Sequence, residues 1–338
     1  MNIDNKSQWA YCIVPQWTID RNLKPLLVVK TGYQWDDQGV LTPLPETDIE
    51  IEVVDRFYDD DAQNKSLAAC NDMVPFKKGF ELFLTGTAHS LTPTQSIMVG
   101  MALQDTTART LWHKKCRVTG VRHWQRGLLG WQPSEPALFQ NLAMQYEFAY
   151  GGTCSKNTDK TFRENPIGVG YKISGEQKSL PRIEQAPWLF NPKQSRSPAG
   201  FAALAPHWSP RLERLQSLDA EAAAQGACPY SWPVDPNLFN AAPEDQILTE
   251  PPNQHCLLQL QGLHPKYEVQ TIALPKNTPQ AQYKTALLPL VWDTLIIDAD
   301  KQRLYQLWRV SIPITLSQLP SLTLTLSNAV TCDESEVA

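Results

Sequence analysis

The chain has 338 residues, of which 42% are apolar and 19% charged, enough apolar material for a core, so it is not disordered as a whole. Its 30 Lys and Arg against 35 Asp and Glu give a net charge of −5, which excludes the basic excess of a non-specific nucleic-acid binder. The 27 prolines exceed the usual share of roughly 5%, and there are 11 tryptophans, so we expect short strands joined by rigid connections.

The seven cysteines include no CxxC pair, and residues 1–4 do not resemble the start of a signal peptide. We therefore expect free thiols and a cytoplasmic protein. Residues 310–332 carry no charge, a length that could span a bilayer. However, Leu322, Leu324 and Leu326 alternate with polar residues. That period predicts a half-buried strand and no membrane span.

Strand patterns dominate both ends of the chain. Apolar runs or alternations occupy 26–35, 80–85, 96–104, 111–118 and 142–150. Similar patterns return at residue 256 and continue to 327. The middle holds most of the prolines, which break regular elements, and its one predicted helix runs from Pro210 to Gln225 and ends at Gly226.

These patterns predict a mainly β fold, with an antiparallel β-sandwich-like or barrel-like core and few helices. We expect a single domain over 1–330, a β-core from 8–124 and 255–327, and a tail at 331–338. Residues 125–254 form a long loop-rich insertion with many prolines and aromatics. Ordered insertions of this length usually carry function, so this region is the functional candidate.

Motifs for nucleotide binding and hydrolysis are absent from the sequence, which has no GxxxxGK[ST], GxSxG or HExxH and no helix-opening GxGxxG. The best metal candidates are His113, Cys116 and His123. On a strand, positions 113 and 116 point to opposite faces, so they cannot converge on one ion. We therefore expect neither a metal nor a cofactor.

Glu147 is flanked by aromatic residues, where a carboxylate is either paired or functional. A buried ion pair is one interpretation, with Arg122 or Arg211 as the natural partner. A catalytic carboxylate is the other. Because no second acid or nucleophile stands beside Glu147 in the sequence, we expect the ion pair.

Several segments, taken together and in order, resemble one bacterial family. They are NDMVPFK (71–77), GTAH (86–89), GVRHW (120–124), YEFAYGG (146–152), NPIGVGY (165–171), LPRIE (180–184), PAGF (198–201), HWSPR (207–211), FNAAP (239–243), DTLIID (293–298) and WR (308–309). The chain is similar in these segments to the type VI secretion accessory family catalogued as domain of unknown function 2169.

This resemblance implies a cytoplasmic adaptor or chaperone that binds an effector, together with PAAR-type tips or VgrG spikes, and stabilises or loads it before secretion. The family offers no agreed catalytic residues. The chain departs from the family pattern at 212–236, where it reads LD (218–219) and PVD (233–235). If partner choice lies there, this member serves a divergent effector.

We therefore expect a protein that binds other proteins and is not an enzyme. The alternative is a carbohydrate-active or other hydrolytic enzyme on a β-scaffold, since Trp-rich loops also bind sugars. The candidate partner-binding residues are Trp131, Trp188, Trp208 and Trp232. The motif residues expected to brace the core, or alternatively to contact the partner, are Arg122, Trp124, Glu147, Asn165 and Arg211.

Overall fold

A computed structural model describes residues 1–128, 130–154, 160–171, 179–189, 191, 193–253 and 255–329. The predicted tail at 331–338 lies outside these residues. The fold is mainly β, with 42% of the described residues in strands and 9% in helices, which confirms the predicted class. No sheet in the described residues closes into a barrel, so the sandwich-like alternative applies.

The strands, numbered along the described chain, are β1 (Asn2–Asn5), β2 (Ala10–Trp17), β3 (Leu23–Trp35), β4 (Leu41–Pro43), β5 (Arg56–Phe57), β6 (Leu67–Ala69), β7 (Phe80–Thr85), β8 (Thr87–Thr94), β9 (Ser96–Gln104), β10 (Thr110–Thr119), β11 (Trp124–Gly127), β12 (Gly130–Pro133), β13 (Phe139–Ala143), β14 (Tyr150–Gly151), β15 (Val169–Gly170), β16 (Ile183–Glu184), β17 (Ile247–Leu248), β18 (Leu257–Gln261), β19 (Val269–Ala273), β20 (Pro279–Tyr283), β21 (Ala286–Leu288), β22 (Val291–Asp298), β23 (Arg303–Ser311) and β24 (Thr323–Asn328). The short 3-10 helices are Glu46–Asp48, Tyr58–Asp60, Tyr146–Phe148, Glu244–Gln246 and Leu316–Ser321.

Both large sheets combine strands from the two ends of the chain. The seven-stranded sheet has the order β17-β7-β22-β23-β3-β2, with β4 also paired to β3, and the five-stranded sheet has the order β16-β10-β9-β18-β19. The short strands β16 and β17 come from the loop-rich insertion. Most pairs are antiparallel, but β7 pairs with β22 in parallel, as do β1 with β24 and β14 with β15.

Alternating side chains of the two large sheets meet in one main core. Leu82 and Leu84 of β7 and Val99 and Leu103 of β9 belong to the same buried cluster. A fully buried leucine contributes about 1.5–3 kcal/mol relative to an exposed one, so this shared cluster holds the sheets together. The predicted strand near the C-terminus is β24, and Leu324 is among its buried residues.

The predicted helix at Pro210–Gln225 is two helices, α1 (Arg211–Leu215) and α2 (Ala220–Ala224). The break occurs because Asp219 takes up an extended conformation and its carboxylate accepts the N–H of Ala222 at 2.9 Å, which caps α2. Gly226 follows α2 with a φ of 72°, as expected for the residue that ends it.

Candidate functional site

The side of the seven-stranded sheet that faces away from the main core carries ionic and polar side chains. We call this side the polar face; it includes Lys30 of β3, Glu81 of β7, Thr294 of β22 and Arg309 of β23, all buried. A buried charge without a partner costs several kcal/mol. The segments that cover the face must therefore supply partners.

Lys77 and Glu81 form one of these buried pairs. The Nζ atom of Lys77 lies 2.5 Å from Oε2 of Glu81 and donates to Oγ1 of Thr294 at 2.9 Å. Oε1 of Glu81 accepts the N–H groups of Ala241 at 2.7 Å and Ala242 at 2.8 Å. Burial raises the pKa of Glu81, but Lys77 and the two N–H donors outweigh it and hold the pKa below its ordinary value.

Arg309 and Asp293 form a second buried pair on the polar face, joined to the first through Thr294, whose hydroxyl donates to Oδ1 of Asp293 at 2.8 Å. A bulge in β22 turns Asp293 toward Arg309, whose Nη2 donates to Oδ1 of Asp293 at 2.9 Å. Nη1 of Arg309 donates to the carbonyl oxygens of Asp72, at 3.1 Å, and Val74. The carboxylate of Asp72 in turn accepts from Nζ of Lys30 at 2.7 Å. The charges on this face are therefore held in internal pairs.

This network joins four of the segments that carry the family resemblance, namely 71–77, 239–243, 293–298 and 308–309. These segments are far apart in the sequence. Their ionic groups hold the covering loops against the sheet, so their role is structural.

A cavity of about 180 Å³ lies on the polar face beside Lys30. Four cations that line it each pair with a lining carboxylate: Lys30 with Asp72, Arg56 with Glu52, Lys301 with Asp298, and Arg303 with Asp48. Sites for small molecules usually measure about 300–1,000 Å³. This cavity is therefore smaller than an ordinary substrate site.

The predicted pairing of Arg122 with Glu147 is wrong. Nη2 of Arg122 binds the carboxylate of Glu184 at 2.6 Å and the carbonyl oxygen of Pro181 at 2.8 Å. Arg117 shares that carboxylate at 2.8 Å, and its guanidinium lies 4.0 Å from the ring centre of Trp188. Because β16 pairs with β10, Glu184 lies next to Arg117 and Arg122 and takes the place that Glu147 was predicted to occupy.

Glu147 instead binds a neutral partner. Its carboxylate accepts the N–H of Ser66 at 3.0 Å and the hydroxyl of the same residue. That hydroxyl oxygen also accepts the N–H of Tyr146 at 3.0 Å, so Glu147 stabilises the start of a 3-10 helix. Arg211, the other predicted partner, binds Asp55 at 3.2 Å and the carbonyl of Leu204 at 2.6 Å.

Two further motif residues are enclosed in the fold. Trp124 is buried and packs in a small cluster that includes Tyr150 and Leu180. Asn165 is also buried, and its Nδ2 donates to the carbonyl oxygens of Tyr146 at 2.8 Å and Tyr150 at 3.1 Å. In this structure neither side chain is accessible to a partner.

The four candidate tryptophans differ in exposure. Trp208 is 0% exposed, packs on Tyr146 and donates to a ring nitrogen of His207, so it is not available for a partner contact. Trp188 is half-buried under Arg117. Trp131 is 36% exposed and Trp232 is 74% exposed. Exposed large aromatics are common at protein interfaces, so Trp232 is the best placed of the four.

Trp232 lies in a segment that forms one wall of a proline-lined groove, which we call the Pro210 groove. One recess, of about 370 Å³, is lined by Pro210, Glu213, Arg214, Ser217, Tyr230, Ser231, Pro233, Val234, Asp235 and Leu238. A second, of about 720 Å³, is lined by Lys114, Glu164, Gln185, Ser197, Pro198, Leu204, Ser209, Pro210, Glu213, Pro243, Glu244 and Asp245. The two recesses share Pro210 and Glu213 as lining residues.

The sequence did not indicate this groove, because its lining residues come from separate segments. The carboxylates of the groove affect one another. The pKa of Glu164 is raised above its ordinary value by burial and then by the negative charge of Glu213. The sequence signals near it were the prediction that the insertion at 125–254 carries function and the departure from the family pattern at 212–236, which includes Glu213 and Trp232.

Two of the candidate metal ligands, His113 and Cys116, lie on opposite sides of β10, as the strand pattern predicted. His113 is on the exposed side of β10 and Cys116 is on its buried side. Among the described residues, no group of three His, Cys, Asp or Glu side chains could hold a metal ion. In that same part of the chain, no helix has the length and apolar character needed to cross a bilayer.

Residues 22–309 match a family described as "Uncharacterized protein conserved in bacteria (DUF2169)". The chain belongs to this family. The match covers the polar face, the Arg122–Glu184 pair and the Pro210 groove, so all three lie within the family domain. Comparison with curated proteins and with solved structures found no match.

Proposed function

We propose that this member of the DUF2169 family is a cytoplasmic adaptor or chaperone of bacterial type VI secretion. It binds an effector, associated with a PAAR-type tip or a VgrG spike, and stabilises or loads it before secretion. The secretion role comes from the resemblance of the motif segments. The observation that carries a binding role is the exposed side chain of Trp232, which lies in the loop-rich insertion between Ser231 and Pro233, two residues that line the Pro210 groove.

A binding role also agrees with the use of the charged residues. The buried carboxylates Asp72, Glu81, Glu184 and Asp293 are each paired with a cation. Such pairs brace the fold. The enzyme alternative gains little from the cavity on the polar face, because about 180 Å³ is small for a sugar or other substrate.

The test is co-expression of the chain with effectors encoded beside it, followed by pull-down. Trp232→Ala should weaken the complex by about 30-fold, since truncating an interface hot spot costs about 2 kcal/mol or more. Leu287→Ala is the matched control, because Leu287 is 63% exposed on β21, outside the insertion, and should bind as the wild type does.

Both variants must first melt at the wild-type temperature, so that a loss of binding reports the contact and not unfolding. The proposal fails if no neighbouring effector binds and a deletion strain keeps normal effector levels and secretion. A screen of substrates would then test the enzyme alternative.

A further inference from the structure

We propose that the Pro210 groove binds a basic, extended segment of the protein partner, with arginine or lysine side chains along the groove. This inference deepens the proposed function, on which it rests, by giving the chemistry of the partner. It depends on the charge of the groove, the nature of its walls and its size.

The groove carries more negative than positive charge. Its carboxylates, taken over both recesses, are Glu164, Glu213, Asp235, Glu244 and Asp245. Its cations among the described residues are Lys114 and Arg214. Five carboxylates and two cations leave a net charge of −3. A partner of complementary charge is therefore basic.

The two cations are already engaged inside the protein. Nζ of Lys114 is 2.7 Å from both Oδ1 of Asp245 and Oε1 of Gln246, and Lys114 is only 4% exposed. Arg214 donates to the carbonyl oxygens of Asn240 at 3.1 Å and Asn237 at 3.4 Å. Lys114 is therefore neutralised inside the protein, and Nη1 of Arg214 is used by backbone carbonyl oxygens. By contrast, Glu213 and Glu244 are exposed and face the groove.

The apolar walls of the groove suit the aliphatic stem of an arginine or lysine side chain. Prolines 198, 210, 233 and 243 line the groove together with Tyr230 and Leu238. The aliphatic stems of arginine and lysine lie along apolar surface while their charged ends reach carboxylates. A guanidinium also stacks on an aromatic face, and the exposed Trp232 lies in the chain between the lining residues Ser231 and Pro233.

The dimensions favour a segment of chain over a single ion. Each recess, at about 370 and 720 Å³, is within the range of sites that enclose a whole ligand. The raised pKa of Glu164, caused first by burial and then by the charge of Glu213, agrees with a groove in which carboxylates lie close to one another.

The test uses short fluorescein-labelled peptides in which proline alternates with arginine, glutamine or glutamate. Fluorescence anisotropy measures their binding to the full chain. The arginine peptide should bind at least about 10-fold more tightly than the glutamine peptide, and added salt should weaken it. The glutamate peptide should not bind.

The variant E213Q/E244Q should bind the arginine peptide about 10-fold more weakly than the wild type. The matched control E250Q/E268Q removes the same number of charges from exposed sites outside the groove, and it should bind as the wild type does. This control separates recognition by the groove from attraction to an acidic protein.

The inference is overturned if the arginine peptide does not bind, if all three peptides bind alike, or if E213Q/E244Q binds as the wild type does. The measurement needs no effector, so these results would leave the proposed function standing. Binding of the arginine peptide together with failure of every neighbouring effector to bind would count against the proposed function alone.

Discussion

Replacing Glu81 by Gln tests whether the buried pairs of the polar face hold the covering loops in place. The side chains of Lys77 and Glu81 are 2% and 0% exposed. Gln retains a carbonyl oxygen for the N–H groups of Ala241 and Ala242, but it leaves the Lys77 ammonium buried without its counter-charge. Removing one partner of a buried pair costs about 3–5 kcal/mol, a large part of a total stability of about 5–15 kcal/mol.

Urea unfolding of Lys77→Met, Glu81→Gln and the double variant measures the coupling. We expect Glu81→Gln to lose about 3 kcal/mol and the double variant to recover about 2 kcal/mol of that loss, because neither charge is then stranded. Asp4→Asn is the control: it breaks the exposed Lys6–Asp4 pair and should cost less than about 1 kcal/mol. Wild-type stability of Glu81→Gln, or simple additivity in the double variant, would refute this reasoning.

Three other predictions concern single groups. Glu147→Ala should lower the free energy of unfolding in urea by about 1.5–3 kcal/mol, because the carboxylate accepts two hydrogen bonds from Ser66. A variant as stable as the wild type would show that Glu147 does not stabilise the fold. Burial raises the pKa of Cys70 and Cys116 to about 12, so peptide mapping should find neither labelled by a thiol reagent in the native protein; labelling at the rate of the unfolded chain would contradict this. Glu213→Gln should lower the pKa of Glu164 in an NMR titration, extending its ionised range to lower pH, and an unchanged midpoint would show that burial alone causes the shift.

The sequence predicted the strands well where apolar residues alternate with polar ones. Phe80, Leu82 and Leu84 alternate in β7, and the same period placed β24. It did not indicate that β7 pairs in parallel with β22. Strand pairing depends on contacts between residues more than 200 positions apart, and alternation within one strand carries no information about its neighbour.

The site was harder to predict, because its contacts depend on the whole fold. Arg122 was correctly identified as a charge that needs a partner, but Glu184 became that partner through the β10–β16 pairing. The burial of Trp208 likewise follows from packing on Tyr146. Even the exposed Trp232 was not distinguishable from it by composition or local pattern.

The central claim, that the protein binds an effector through the insertion, is tested most directly by hydrogen–deuterium exchange. The exchange of backbone amides is compared for the free protein and for the protein with the effector encoded beside it. We predict slower exchange at 209–217 and 228–238, which contain the residues lining the smaller recess of the Pro210 groove, and no change in β9, β18 and β19, which contribute no lining residue. Identical exchange with and without the effector, or protection confined to β9, β18 and β19, would contradict this claim.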